Sequence, residues 1–559
     1  MRRKQTHKSQ LTDTKMGKSN NPFLYLPTTR MFPLISLFLL FHVPASWAAS
    51  DSAHNAFVQC LSSQIKQPAQ ISKIVYAQNN PSYSSVLRAY IRNARFNTTS
   101  TPKPVIIVTP TEESHVQGAV ICAKKNGIHL RIRSGGHDYE GVSYVSQDPF
   151  VILDMFNLRS VVVDAKEETA WVQVGATLGE VYYNIWQNSK LHGFPAGVCS
   201  TVGVGGHLSG AGYGFMVRKY GLTTDNVLDA KIVDVNGKIL DKTSMGEDLF
   251  WAIRGGGGAS FGVILAFKIK LVPVPEKVTV FRAERSLEEN ATDIVYRWQQ
   301  VAPTTDDNLF MRMLIQPVTS KVKKGEKTIR ASIVALFLGK ADDLITLLSK
   351  EFPELGLKKN DVMEMSWIEF VVWAGAGDGN VTSPKVLLDR HPDTAIFGKR
   401  KSDYVQKPIS KAGLESIWKK MIELGKVGLV FNPYGGKMNQ VQASALPFPH
   451  RAGNLFKIQY SISWQDAGIE AEKNFITQSR SLYSYMTPFV AKNPRSAYLN
   501  YRDLDIGINH HGKNSYAEGK VYGTMYFHEN FDRLVKIKTK VDPDNFFRNE
   551  QSIPTLPHN

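Results

Sequence analysis

The sequence predicts an α+β protein of two domains, and three observations predict it. Short apolar strands alternate with helices between Val105 and Trp186. The stretch from about Val278 to Asn474 changes character, setting longer strands such as Leu309–Ile315 and Ala331–Leu338 beside helices such as Ala341–Lys350. Of the 559 residues, 509 follow residue 50, and a chain of that length exceeds what one hydrophobic core sustains.

The elements follow in order. Met31–Ala48 carries an apolar run from Leu34 to Val43 and a small-residue end, Ser46-Trp47-Ala48. It is too short for a membrane span and reads as a secretory signal peptide. The polar, basic residues before it are either an unusual extension or follow an upstream start, with Met31 opening an ordinary signal. Val105–Val108 is a strand, and Thr109-Pro110-Thr111-Glu112-Glu113 opens a helix that runs to Lys125 and stops at Gly127. His129–Arg133, Phe150–Asp154 and Ala170–Val174 are further strands, and Thr177 caps a helix through Trp186. Beyond Asn474 the chain reads as aromatic, Asn-rich loops up to Asn545–Pro554. No internal repeat occurs.

An exported chain meets oxidising conditions, so two of its three cysteines should pair. Cys60 and Cys122 both precede the glycine-rich segments described next, which makes them the expected pair and leaves Cys199 for chemistry. Sequons at Asn97, Asn290 and Asn380 agree with a glycoprotein. Formal charge is +17 over the whole chain, and 60 Lys/Arg against 49 Asp/Glu leave +11 after residue 50. Such a surface suits an acidic polysaccharide, or serves solubility alone. Nucleic acid is not an expected partner, since no zinc-finger spacing or long Arg-rich tract occurs.

Two glycine-rich segments concentrate the chemistry. Arg131-Ile-Arg-Ser-Gly-Gly-His137-Asp-Tyr-Glu-Gly141 offers an imidazole, and the run from Gly197 through Cys199 to Gly214 offers a thiol. Glycine permits close backbone approach to a phosphate-bearing ligand. The amides of 134–137 and 203–206 are the expected cradle. Gly203-x-Gly205 and Gly210-x-Gly212-x-Gly214 both misplace the third glycine of a dinucleotide fingerprint, and no P-loop occurs. Adjacent acids and His at 137–140 do not converge as metal ligands, so no metal is expected. A Cys–His hydrolase through Cys199 lacks the rest of its site.

Arg133-Ser-Gly-Gly-His137-Asp-Tyr-Glu-Gly141, Gly197-Val-Cys199, Tyr498-Leu-Asn500-Tyr-Arg-Asp-Leu-Asp505 and Asn545-Phe-Phe-Arg-Asn-Glu-Gln551 together resemble the plant berberine bridge enzyme-like flavoproteins. The resemblance covers essentially the whole chain after the signal peptide. It implies a vanillyl-alcohol-oxidase-type (PCMH-type) FAD-binding fold, with an inserted substrate domain of antiparallel sheet covered by helices. The implied segments are residues 1–48 (extension and signal), 49–277 (FAD domain), 278–474 (substrate domain) and 475–559 (C-terminal part of the FAD domain). It also implies FAD held by two bonds, from His137 to flavin C8α and from Cys199 to C6, and a Cys60–Cys122 disulfide. Arg133, Ser134, Gly135, Gly136, Asp138, Gly203, Gly205, Gly206, Gly210, Tyr213, Asn500 and Asn545 are the further cofactor contacts expected.

The same resemblance makes Tyr498 the catalytic base with Tyr213 beside it. Pro433–Gln442 alternates as a strand, with Met438, Gln440 and Gln442 on one face and Lys437 on the other. Relatives often carry Glu or Lys at the position aligned with Gln440, so Gln440 and Gln442 are assigned to orienting substrate; a neutral amide cannot act as the base. Val202 matches a position lining the oxygen pocket, where Val permits dioxygen and Leu hinders it. The expected activity is a secreted, cell-wall oxidase working as a monomer. Hydride passes from the reducing-end C1 of an oligogalacturonide or cellodextrin to flavin N5, and dioxygen yields hydrogen peroxide. Monolignol oxidation, alkaloid oxidation and an inert, flavin-retaining carbohydrate-binding protein are the alternatives.

Overall fold

A computed structural model describes residues 54–66, 68–376, 383–391 and 395–557. The Met31–Ala48 segment and Asn380 lie outside the described residues. Four strands form the first sheet, in the order Val75–Ala77, Ile106–Val108, Phe150–Asp154, His129–Arg133. Its first pair is antiparallel and the other two are parallel. Parallel strands need a crossover, and the helix Glu113–Lys125 provides it between Ile106–Val108 and His129–Arg133. All five residues of Phe150–Asp154 are buried, as in a strand covered on both faces.

An antiparallel second sheet orders Val161–Asp164, Thr169–Gln173, Val263–Lys270, Val227–Val233 and Ile239–Leu240. The helix Leu178–Asn188 starts at Thr177 with a full capping box, the Thr177 hydroxyl accepting from the Glu180 amide and the Glu180 carboxylate from the Thr177 amide. Such a cap is worth about 1 kcal/mol.

The third sheet is built wholly from Val278–Trp464. Its seven antiparallel strands run Val362–Met365, Val278–Ser286, Lys327–Phe337, Leu309–Thr319, Gly428–Pro433, Phe456–Trp464, Phe397–Val405. Helices Ala291–Val301, Ala341–Glu351, Lys411–Leu424 and Ile469–Tyr485 contribute apolar side chains to the core against this sheet. Two large hydrophobic cores result among the described residues, beside a small third cluster of Tyr83, Leu87, Ile91, Ile107, Tyr144, Phe150 and Ile152. One gathers the first two sheets with the C-terminal helices; the other lies between the seven-stranded sheet and its helices.

The C-terminal stretch departs from its reading as loops. It holds the helices Ser515–Phe527 and Asn530–Val541. In the second, Phe531, Leu534, Val535 and Lys538 are buried at helical spacing, with Lys538 Nζ bonded to the Ser260 and Phe547 carbonyls. Cys60 and Cys122 form the expected disulfide, joining the helix at 54–64 to Glu113–Lys125. Closing a loop of 62 residues stabilises the fold by about 4 kcal/mol on chain-entropy grounds.

Candidate active site

A cavity of about 520 Å³ opens where the first two sheets meet the seven-stranded one. The two glycine segments make one wall. They touch so closely that a Cβ on Gly135 would stand 2.3 Å from the Gly203 nitrogen, and one on Gly203 would stand 2.1 Å from Ser134 Oγ. Only glycine allows that contact. The contact draws the anchor candidates together: His137 Nε2 lies 2.9 Å from Thr201 Oγ1, two residues beyond Cys199. Both His137 and Cys199 line the cavity. Burial, then Arg92, pushes the His137 imidazole down to about 3, so it is neutral at physiological pH. Cys199 is the free thiol and faces the cavity. Its withdrawal from bulk water holds its pKa above the ordinary value, against the pull of Arg312 and Arg400.

The facing wall is the seven-stranded sheet. Register places Arg282, Val334 and Arg312 side by side on neighbouring strands, and Leu314, Val430 and Gln459 likewise. All six line the cavity. Lys457 stands on the same strand two residues before Gln459, hence on the same face. It is 1% exposed, and its ammonium lies 3.4 Å from the ring centroid of Tyr213, 3.6 Å from that of Tyr498 and 4.9 Å from that of Tyr501. No carboxylate pairs with it among the described residues. Burial and then Arg312 drive its pKa well below the lysine value, while three ring faces offset part of that cost.

The phenols form a connected group. Tyr213 and Tyr501 share a short hydrogen bond between hydroxyls, and the Asn500 amide donates to Tyr498 Oη at 3.1 Å. Gln459 Nε2 donates to Tyr139 Oη at 3.4 Å. Burial raises every one of these phenols. Tyr498 and Tyr501 lie well above the ordinary value; Arg312 opposes the rise at Tyr213 and Tyr501 but not at Tyr498. Lys457, Gln459, Tyr139, Tyr501 and Arg312 were missed by sequence reasoning. Tyr139 and Tyr501 sit inside quoted motifs and could have been found; the other three needed the sheet register.

Of the expected contacts, Ser134, Gly135, Gly136, Asp138, Val202, Gly203, Gly205, Gly206, Gly210, Tyr213, Tyr498 and Asn500 line the cavity. Four expectations are corrected. Arg133 turns away, its guanidinium bonded to Asp154 and to the Val86 and Leu87 carbonyls. Asn545 lies off the cavity, whose C-terminal lining is Arg548, Asn549, Gln551 and Ile553. Gln440 and Gln442 are exposed and also off it. Residues Lys437–Gln440 are a short helix, not a strand, because Gly435 and Gly436, at φ 86° and 52°, reverse the chain before them. The expected amide cradle is corrected in part as well: Val204 and Gly205 already donate to the Ala176 and Val174 carbonyls. Exposed Asn97 and Asn290 are accessible.

Comparison with known proteins places this arrangement. A family model described as an FAD binding domain matches residues 104–243, and one described as berberine and berberine like matches residues 497–554. Berberine bridge enzyme-like 21 of Arabidopsis thaliana is 63% identical over 531 residues, spanning 94% of this chain and 97% of the relative. The chain belongs to the berberine bridge enzyme-like family. Among solved structures, Phl p 4, a grass pollen allergen with glucose dehydrogenase activity, is 44% identical with a TM-score of 0.84, covering 90% of this chain and 100% of that one. Berberine bridge enzyme from Eschscholzia californica is 35% identical with a TM-score of 0.84, at the same coverage of both chains.

This berberine bridge enzyme-like protein is therefore an FAD-linked oxidoreductase, and its cavity fits the cofactor. Ser143 Oγ and Arg502 Nη1 are buried without a protein partner, and both residues line the cavity. A Cβ on Gly206 would meet nothing within 4 Å, so that turn leaves open space beside the chain. Leu130, Ile132, Val142 and Met155 add apolar surface for aromatic rings, while Arg502 complements an anion.

Proposed function

We propose that this protein is a secreted oxidase acting on the reducing-end C1 of cell-wall oligosaccharides, either oligogalacturonides or cellodextrins. The observation that carries this reading is Lys457 held under Tyr213 and Tyr498, two rings that line the cavity together with His137 and Cys199. FAD supplies the redox chemistry when bound: it accepts the hydride and hands two electrons to dioxygen, so that sugar plus oxygen becomes lactone plus hydrogen peroxide. A neutral imidazole and a free thiol are the two nucleophiles suited to hold the flavin through C8α and C6.

The chain's own work is proton transfer and placement. Tyr213 is the better base than Tyr498. Both rings pack against Lys457, but of the two only Tyr213 has Arg312 lowering its pKa and a neighbouring phenol, Tyr501, that can donate to its oxygen as charge develops. Tyr498 supports that group from behind, bonded by Asn500. Gln459 takes the role first assigned to Gln440, holding a substrate hydroxyl from the sheet wall. Val202, on the cavity wall, keeps room for dioxygen. A Phl p 4 variant that is a glucose dehydrogenase and another that carries an added isoleucine-to-valine exchange and is a glucose oxidase support that role. The disulfide, the Met31–Ala48 segment and the exposed Asn97 and Asn290 support secretion and glycosylation. A monomer associated with acidic wall polysaccharide through its basic surface completes the reading.

An aromatic alcohol is the second reading, favoured by the apolar Leu314, Val334 and Val430 on the sheet wall. Anaerobic bleaching of the bound flavin by oligogalacturonides, cellodextrins, coniferyl alcohol and reticuline separates the two. Bleaching by the oligosaccharides is expected; bleaching by coniferyl alcohol alone overturns the sugar assignment. Acid precipitation should leave the yellow colour with the protein, and full release of flavin would refute the two-bond attachment.

A further inference from the structure

Away from the tyrosines, a second charged cluster has no part in the chemistry above. It lies behind the loop bearing His137. Strand Phe397–Val405 carries Lys399 and Lys401 on one face. The Lys399 ammonium bonds the Glu140 carboxylate and, at 2.7 Å, Asp503 Oδ1. Lys401 Nζ adds Asp503 Oδ2 at 2.6 Å and Asp505 Oδ2 at 2.7 Å. Arg95 joins Glu140 to Glu472, and Arg480 reaches Asp505. The side chains of Lys399, Glu140 and Asp503 are 3%, 4% and 3% exposed.

Glu140 is three residues after His137, and Asp503 is two after Tyr501. Arg502 and Asp138 join the two segments directly at 2.8 Å, and among the described residues Lys399 is the one cation outside both that bonds a carboxylate of each. The same strand holds the tyrosine segment by its other face, where Ser402 Oγ accepts from the Tyr498 amide at 2.8 Å. Taking several charges out of water costs about as much as their pairing returns, so a buried cluster contributes little net stability. Its contribution is geometric: each carboxylate has one place to be.

We infer that Lys399 is a positioning residue, setting the His137 loop in register with the Tyr498–Tyr501 segment so that the imidazole meets the flavin where the phenols meet the substrate. The inference rests on His137 as one of two flavin anchors, and it predicts an asymmetry that general support of the fold would not produce. Lys399 touches the His137 loop and not the Cys199 loop.

The test combines Lys399→Met, and the milder Glu140→Gln, with each single-anchor background. With Cys199→Ala, where only His137 can hold flavin, either change should cut the flavin retained on acid precipitation roughly tenfold. With His137→Ala, where Cys199 holds it, retention should match the His137→Ala control. Equal losses in both backgrounds, or none in either, overturn the inference. If the anchor controls themselves release all flavin, the attachment reading fails, and amide hydrogen exchange decides Lys399 separately. Exchange should rise about tenfold at residues 138–142 and 503–507 and stay unchanged at 203–210; a uniform rise, or none, overturns the positioning role.

Discussion

The two walls of the cavity are built on opposite plans. On the cofactor side, glycine segments at 134–137 and 203–210 shape the site with backbone, and their contact at Gly135 and Gly203 leaves no room for side chains. On the facing side, Arg282, Arg312 and Gln459 shape it with side chains delivered by three strands, with Lys457 beneath the tyrosine rings. A backbone-built wall demands particular residues in unbroken runs, so it varies little without loss. A sheet face accepts any side chain at each outward position, so it can change substrate while the cofactor wall stays as it is. The contrast accounts for solved relatives, 35% and 44% identical, that share this fold although one is a glucose dehydrogenase and the other berberine bridge enzyme.

That division can be broken or sharpened by substitution. The largest effect is expected from Tyr213→Phe, which should slow anaerobic flavin reduction by about 10²–10⁴-fold, with a smaller loss in Tyr498→Phe. The reverse order would return the base to Tyr498. The pH profile carries a sign as well. The reactive form is the phenolate, and burial raises the Tyr213 pKa, so reduction should speed up as pH rises through the alkaline range. Lys457→Met removes the amine packed beneath the ring, which can be protonated when the phenolate forms, and should move that rise to still higher pH; an unmoved profile would detach Lys457 from the base.

Val202→Leu comes next. Reoxidation by air should slow roughly 10–100-fold, the range for a methylene in a tight pocket, while reduction by substrate is unchanged. Equal slowing of both half-reactions would make Val202 a packing residue. The smallest effect separates the two sets of glutamines. Gln459→Leu should raise KM about tenfold, near 1.4 kcal/mol for one lost hydrogen bond, whereas Gln440→Leu and Gln442→Leu should leave KM unchanged. A response at Gln440 would restore the discarded assignment.

Much of the fold was legible beforehand because its signals are local. The strands at His129–Arg133 and Phe150–Asp154 and the Thr177-capped helix appear as read, since alternation and a capping residue are properties of a few neighbours. Alternation misled at 433–442, where two glycines of positive φ turn an apparent strand into a bend and a short helix. The helix Ser515–Phe527 was unreadable for the converse reason: its apolar residues do not keep to one face, and it is stabilised by packing with Phe531 and Pro554 around Gly519 and Gly523. Arg133 sat inside a cofactor motif, yet Asp154, distant in sequence, claims its charge.

By itself the sequence determined the pair of cysteines, because only three were to be shared out, and the glycine wall with His137 and Cys199 and the family, because those rest on residue types in fixed short spacing. Only the tertiary structure decided which glycine amides are already bonded, which glutamines line the cavity, which phenols Arg312 reaches, and that Lys399 bonds carboxylates of both the His137 loop and the tyrosine segment. Those facts depend on strand register and on long-range burial, which bring residues hundreds of positions apart within a few ångströms and leave no mark on any one stretch of chain.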